Sequence, residues 1–232
     1  MKAIILAAGR GSRLYPITLD KPKGLLEIDG ETILDRLVRQ FKESGIEDIL
    51  IVVGYQKQCL INHFGNSVRY ITYDNYAVTN NLHTLWSVRE ELNDDVIITF
   101  SDLVMHKSII DELVRTGNDI TMAVDTSRVL DGTMRVAING CKIKNITTTT
   151  VEEADGNFIG ISKVSRLGCA LLVDEMSKII DGHYEDYYTI AIDNLARNGL
   201  DIGYYDVQKF IWREIDTKSE YDEIKKIIYR FQ

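Results

Sequence analysis

Short apolar runs alternate along the chain with stretches whose apolar residues recur at helical spacing. "KAIIL" is a compact run followed at once by Ala-Ala-Gly-Arg-Gly, a strand feeding a glycine-rich loop. In "ETILDRLVRQFKESG", Ile33, Leu34, Leu37, Val38 and Phe41 share one helical face, and Gly45 is the stop signal. "DILIVVGY" reads as a buried strand and "VRYITYD" as one nearer a sheet edge. "NLHTLWSVREEL" sets Leu82, Leu85, Trp86 and Val88 to Leu92 at helical spacing, with Asn80 or Asn81 as N-cap. "DVIITFSD" is another buried strand, ending in Asp102; "SIIDELVRT" is a short helix and "DITMAVDT" the next strand. Such alternation predicts a parallel sheet covered by helices on both faces.

The pattern changes after Thr126. "TMRVAI", "CKIKNITTTT", "NFIGISKVS" and "CALLVD" read as strands. Helical spacing returns at "EMSKII" and "DYYTIAIDNLARNG", followed by the strands "DIGYYDV" and "FIWREID" and a last helix, "SEYDEIKKIIYRF". The expected fold class is α/β: a Rossmann-like, mostly parallel sheet with helices on both faces, plus a mixed-strand C-terminal extension. One domain over 1–232 is expected, with a core at 1–126 and the extension, 127–232, returning to it.

Composition narrows the partners. At 232 residues, 45% hydrophobic and 27% charged, the chain can bury a sizeable core as an ordinary globular domain. It has no apolar run of about 18 residues, so no membrane span is expected. The N-terminal apolar run is about eight residues and ends in Arg-Gly-Ser-Arg, which favours a buried strand over a signal peptide. Cys59, Cys141 and Cys169 are odd in number and widely spaced; neither a disulfide framework nor a zinc site follows, and a reducing, cytoplasmic location is expected. A net charge of -8 argues against a nucleic-acid binder, which needs a broad basic face.

Against that background "LAAGRGSRLYPITLDKPKG" (Leu6–Gly24) is an electropositive island, with Arg10, Arg13, Lys21 and Lys23 facing one acid, Asp20. A strand, a glycine turn and nearby cations suit a phosphate. No G-x-x-x-x-G-K-[ST] string exists. Gly9 and Gly11 fit the start of a dinucleotide fingerprint, but Leu14 stands at its third position, and the acidic ribose ligand expected about twenty residues on, at the end of a second strand, is missing.

The whole string resembles the signature of the nucleotidyltransferases that activate sugar phosphates and phospho-alcohols. Leu6, Ala7, Ala8, Gly9, Gly11, Ser12, Arg13, Leu14, Pro16, Pro22 and Lys23 carry the match. It continues through "VVGYQ", "TNN", "SD" and "WREID". "TNNLHTLWS", "LDGTM" and the chain length place it nearest the short bacterial cytidylyltransferases acting on phosphocholine, phosphoethanolamine, 2-aminoethylphosphonate or polyol phosphates.

The resemblance implies attack by an acceptor phosphate or phosphonate oxygen on the α-phosphorus of CTP, with pyrophosphate leaving. The C-terminal extension is then the acceptor-binding part. Lys23 and Arg13 are the implied catalytic residues, Lys23 bridging the α-phosphate and the acceptor, Arg13 meeting the β- and γ-phosphates. Leu6, Ala8, Gly9, Arg10, Gly11, Ser12, Thr79, Asn80, Thr84 and Ser101 are the other nucleotide-binding candidates; Asn81 and Asp131 are candidates for the acceptor. Asp102, at the end of a buried strand, and Asp216 match the family's Mg2+ carboxylates, a hard-oxygen pair suited to that ion. The four histidines, His63, His83, His106 and His183, show no ligand spacing. Capping and surface roles remain open for Thr79, Asn80, Thr84, Arg10 and Lys21. Trp86, Tyr184, Tyr187, Tyr188 and Trp212 could face a quaternary ammonium or simply pack the core. The alternatives are a sugar-1-phosphate uridylyl- or thymidylyltransferase, and a non-catalytic nucleotide-sensing subunit. Oligomeric state is left open.

Overall fold

The computed structural model describes residues 1–130, 133–147 and 154–231. β1 (Lys2–Ala7) is buried along its whole length, and a hairpin of β2 (Glu27–Ile28) and β3 (Glu31–Thr32) leads into α1 (Ile33–Glu43). Thr32 and Asp35 form a reciprocal capping box on α1, whose predicted apolar face is buried; Gly45 (φ +80°) follows. β4 (Asp48–Val53) is followed by α2 (Lys57–Phe64), which the hydrophobic pattern did not signal because only Leu60 and Phe64 are buried. β5 (Arg69–Thr72) and α3 (Asn81–Trp86) come next. Asn80 caps α3, and the helix stops well before Leu92: Ser87 Oγ takes the Thr84 carbonyl at 2.7 Å and a 3-10 turn covers Arg89–Glu91. β6 (Val96–Phe100), the short β7 (Leu103–Met105), α4 (Ser108–Arg115) and β8 (Ile120–Asp125) complete the first half.

The second half contains β9 (Arg135–Asn139), β10 (Lys142–Thr147), β11 (Gly156–Val164), α5 (Arg166–Ile179), α6 (Thr189–Arg197), β12 (Ile202–Asp206), β13 (Trp212–Glu214) and α7 (Lys218–Ile227). "CALLVD" is not a strand. It lies inside α5, where Ser165 caps the Gly168 amide at 3.0 Å and Cys169, Leu172 and Met176 are buried at helical spacing. An apolar run of this length fits either element, and the cap decides it.

Nine strands form one sheet in the order β5-β4-β1-β6-β11-β8-β12-β10-β9. Pairing is parallel through β5-β4-β1-β6, and β11 enters antiparallel between β6 and β8, drawing the later chain into the sheet centre. The chain moves outward from β1 to β4 and β5, then crosses to β6 on the other side of β1. That reversal opens a crevice at the carboxyl ends of β1 and β6, where ligands bind in open α/β sheets. β7 and β13 form a separate antiparallel ribbon, pairing Leu103 with Glu214. Apolar clusters cover both sheet faces, and a third, around Leu14, Leu26, Val104, Ile215 and Ile224, packs the first loop against the C-terminal helix. Among the described residues, no helix is long and apolar enough to cross a membrane.

Gly168 lets α5 touch the preceding loop: a Cβ there would lie 2.2 Å from the Asp119 carbonyl oxygen. Gly168→Ala is expected to cost about 1–3 kcal/mol in a urea titration; an unchanged midpoint would contradict this contact.

Candidate active site

The first loop is built for close approach. Gly11 adopts φ +60°, and its carbonyl accepts from Thr18 Oγ1 at 2.8 Å and from the Leu14 amide at 3.0 Å. A Cβ on Gly11 would meet Lys23 Cβ at 3.2 Å, so glycine here lets two loop segments pack together. Leu14, the residue that breaks the dinucleotide fingerprint, is a buried member of the third cluster. Gly24 lies against Leu34 of α1, and this packing turns Lys23 inward until the residue is only 9% exposed.

Lys23 Nζ donates to Asp102 Oδ2 at 2.7 Å and to Asp216 Oδ1 at 2.5 Å; Arg13 reaches the same Asp216 oxygen at 2.8 Å. Asp102 follows β6. Asp216 follows β13 and is steadied by Glu220 of α7, whose carboxylate accepts the Asp216 amide at 2.8 Å. The Ile215 amide donates to the Asp102 carbonyl at 3.1 Å, tying the two segments together. Burial opposes the charge on Lys23, but Asp102 and Asp216 outweigh it and hold its pKa above the ordinary lysine value. Burial pushes the neighbouring Glu214 carboxyl well above the usual carboxylate range, and repulsion from Asp102 and Asp216 adds to the effect. Asp102 Oδ1 is buried with no hydrogen-bond partner. Such an oxygen is costly to leave unpaired, and with Asp216 alongside it fits a hard divalent cation such as Mg2+. Among the described residues no cluster of three or more His, Cys, Asp or Glu forms a ready-made metal cage, so phosphate oxygens and water would complete the shell.

These groups open into a cavity of about 620 Å3. Leu6, Ala8, Gly9, Arg10, Gly11 and Ser12 form one wall, with Arg13 and Lys23 beside them. Thr79, Asn80, Asn81 and Thr84, around the start of α3, form a second, and Ser101 and Asp102 lie at the floor. Several of these side chains also hold the structure. Asn80 Oδ1 accepts from the Asn81 amide at 2.8 Å, Thr79 Oγ1 meets the Tyr73 hydroxyl at 2.6 Å, and Asn81 Oδ1 accepts from the Tyr188 amide at 2.8 Å. The end away from the cations is apolar, formed by Phe100, Met134, Phe158 and Tyr187.

Comparison with known proteins follows the same outline. Residues 3–151 match the family profile of the MobA-like NTP transferase domain. The chain belongs to that family. The chain is 36% identical over 122 residues to the UTP–glucose-1-phosphate uridylyltransferase AglF of Haloferax volcanii, a match covering 51% of this chain and 50% of AglF. It is 38% identical over 119 residues to the choline-phosphate cytidylyltransferase of Streptococcus pneumoniae, covering 50% of this chain and 51% of that protein. The matched stretch thus spans about half the length of these curated relatives. The CTP:phosphocholine cytidylyltransferase LicC of Streptococcus pneumoniae superposes with a TM-score of 0.83 at 24% identity, covering 98% of each chain. At that identity the likeness speaks for the fold alone.

Every catalytic, nucleotide-binding and metal-binding candidate named from the sequence lines this one cavity, as does Asn81, while Asp131 lies outside the described residues. Of the aromatic candidates only Tyr187 lines it; Trp212 and Tyr188 are buried, and Trp86 packs beneath the Arg89 guanidinium. Lys21 and all four histidines are absent from its lining. The sequence reading missed Tyr76, Phe100, Met134, Phe158 and Glu214. Glu214 had a signal, since it precedes Asp216 by two in "FIWREID", a segment whose expected strand would turn both to the same side; the aromatics had none.

Beside the glycine loop, the Tyr55 amide donates to the Ala8 carbonyl at 2.9 Å, and Tyr76 lies close against Gly54. A Cβ on Gly54 would come within 2.7 Å of both the Ala8 oxygen and the Tyr76 ring. Gly54→Ala is therefore expected to shift the glycine loop and weaken nucleoside triphosphate binding by about tenfold, a loss of roughly 1.4 kcal/mol. Calorimetric titration with CTP checks this; an unaltered affinity would separate Gly54 from the cavity wall.

Proposed function

We propose that the protein transfers a cytidylyl group from CTP to a small phospho-alcohol or phosphonate, releasing pyrophosphate. The observation that carries this reading is the Lys23 ammonium held between Asp102 and Asp216 beneath the glycine loop, inside one cavity. An acceptor phosphate or phosphonate oxygen forms a bond to the α-phosphorus of CTP, and the bond from that phosphorus to the bridging oxygen of pyrophosphate breaks. The acceptor oxygen is already anionic near neutral pH, so no general base is needed. The obstacle is repulsion: like charges about 4 Å apart oppose each other by about 4 kcal/mol per pair at an effective dielectric near 20. Holding both reactants in line can supply roughly 7–11 kcal/mol.

Each residue then has a task. The loop from Leu6 to Ser12 brings backbone amides to the triphosphate, with Arg10 at its mouth. Arg13 stabilises the departing pyrophosphate. Lys23, charged throughout the neutral range, exchanges its carboxylate partners for the α-phosphate and the acceptor phosphate. Asp102 and Asp216 would hold Mg2+, which supplies charge neutralisation at the phosphates when bound. Thr79, Asn80 and Thr84, with Ser101, face the base and ribose; the cytosine reading draws support from the streptococcal relative, named a cytidylyltransferase. Asn81, Asp131 and the apolar end take the acceptor. A uridylyltransferase acting on a sugar 1-phosphate is the second reading, favoured by the 36% identity to AglF.

Two outcomes are expected. When CTP, UTP, dTTP, ATP and GTP are each paired with phosphocholine, phosphoethanolamine, 2-aminoethylphosphonate, glycerol phosphate and glucose 1-phosphate, pyrophosphate release should be greatest with CTP and a non-sugar acceptor. UTP with glucose 1-phosphate as the best pair would replace the first reading by the second. Lys23→Ala should lower turnover by at least about a hundredfold, the scale of losing one preorganised charge contact in a transition state, with an unchanged circular dichroism spectrum. Wild-type turnover in that variant would remove Lys23 from the reaction.

A further inference from the structure

A second cavity, of about 720 Å3, shares no lining residue with the first. Five basic side chains line it, His106, Arg128, Lys209, Arg213 and Arg230, against one acid, Asp125. Asp125 is buried and already engaged: its carboxylate accepts from Trp212 Nε1 and from the Ser127 amide, both at 2.9 Å. Several arginines elsewhere find carboxylates, as Arg39 does with Glu31, Arg69 with Asp48 and Arg197 with Asp193. Around this cavity, Arg128, Lys209 and Arg230 have no carboxylate within 4.0 Å among the described residues, and Arg213 reaches only Glu223, at 3.9 Å.

The walls are fixed in place. The Arg128 carbonyl accepts from Nδ2 of the buried Asn157 at 2.6 Å, and the other end of that amide accepts the Leu130 amide at 2.8 Å. The His106 amide donates to the Ile211 carbonyl at 3.0 Å, and the imidazole stacks on Phe210 with centroids 5.2 Å apart and planes 10° from parallel. Ser108 donates its amide to His106 Nδ1 at 3.3 Å, which leaves Nε2 to carry the ring proton. A chain of net charge -8 thus gathers one concave basic face on braced loops and a strand.

We propose that this cavity is a second anion-binding site, taking a small molecule that carries two or more phosphate-type charges. Its volume lies in the range of small-molecule pockets, roughly 300–1,000 Å3. A nucleic acid needs a broad basic face, and a chain of net charge -8 repels a polyanion that extends past the hollow. Guanidinium groups match phosphate oxygens in both charge and geometry.

Inorganic tripolyphosphate is the probe, titrated calorimetrically into the metal-free protein. Wild type should show two classes of site, the tighter in this cavity and the weaker in the first crevice, which takes phosphate poorly without a divalent ion. Arg128→Ala/Lys209→Ala/Arg230→Ala should weaken one class by at least about tenfold, the scale of losing charge-assisted contacts, and Arg13→Ala should weaken only the other. With Trp86→Phe, Trp212 is the one tryptophan left of the 2 in the chain, and its emission should follow the first class. A triple variant that titrates like wild type would overturn the proposal. So would a single class of site that Arg13→Ala abolishes. Neither nucleotide nor acceptor enters the experiment, so its result stands apart from the transfer reaction.

Discussion

The Lys23 ammonium joins segments that lie 79 and 193 residues away in sequence, and the crevice depends on that junction. Two carboxylates facing each other in a partly buried site repel; a cation between them turns repulsion into cohesion. Removing one member of such a buried arrangement leaves uncompensated charge, usually at a larger cost than the net worth of the intact set. The bridge is therefore weak evidence for stability and strong evidence for positioning. It fixes where the end of β6, the end of β13 and the first loop stand relative to one another.

Topology makes that meeting possible. The glycine loop leaves β1 and Asp102 leaves β6, and the two strands are neighbours only because the chain reverses direction across β1. Asp216 arrives through β13, which pairs with β7 immediately beyond Asp102. The capping box of Thr217 and Glu220 then anchors the start of α7, and α7 returns Tyr221 and Ile224 to the cluster that holds Leu14. A local cap, a short ribbon and an apolar cluster thus restrict one carboxylate to a narrow range of positions. The same ribbon carries Trp212 and Arg213 into the second cavity and Glu214 into the first, so the two cavities share one short strand.

Much of this was legible in the sequence. The period of apolar residues marked α1, β1, β4, β6 and β8 because each buries a full face. Lys23, Asp102 and Asp216 were legible through a resemblance to known motifs, which carries information about meeting in space that periodicity does not. What escaped was short or governed by tertiary context. α2 buries two residues, β7 has three, and α5 was hidden in an apolar run whose helical identity rests on the Ser165 cap. The apolar end of the cavity was invisible for a related reason. Phe100 and Phe158 meet edge to face at 6.2 Å because β11 inserts beside β6, a pairing that no local pattern announces.

The charge arrangement of the crevice places a constraint on whatever enters it. Lys23 and Arg13 face Asp102 and Asp216, while the shift on Glu214 favours its protonated, neutral form, so in the ligand-free chain two cations balance two carboxylates. A triphosphate arriving alone would draw both cations toward itself and strand the carboxylates, one of which already has an oxygen without a partner. A triphosphate arriving with a divalent ion resolves both problems, because the carboxylates receive a cation as the ammonium and guanidinium turn to phosphate. On the proposed reading, metal and nucleotide then bind favourably together and poorly apart, a coupling that follows from charge balance in a half-buried space rather than from any conformational change.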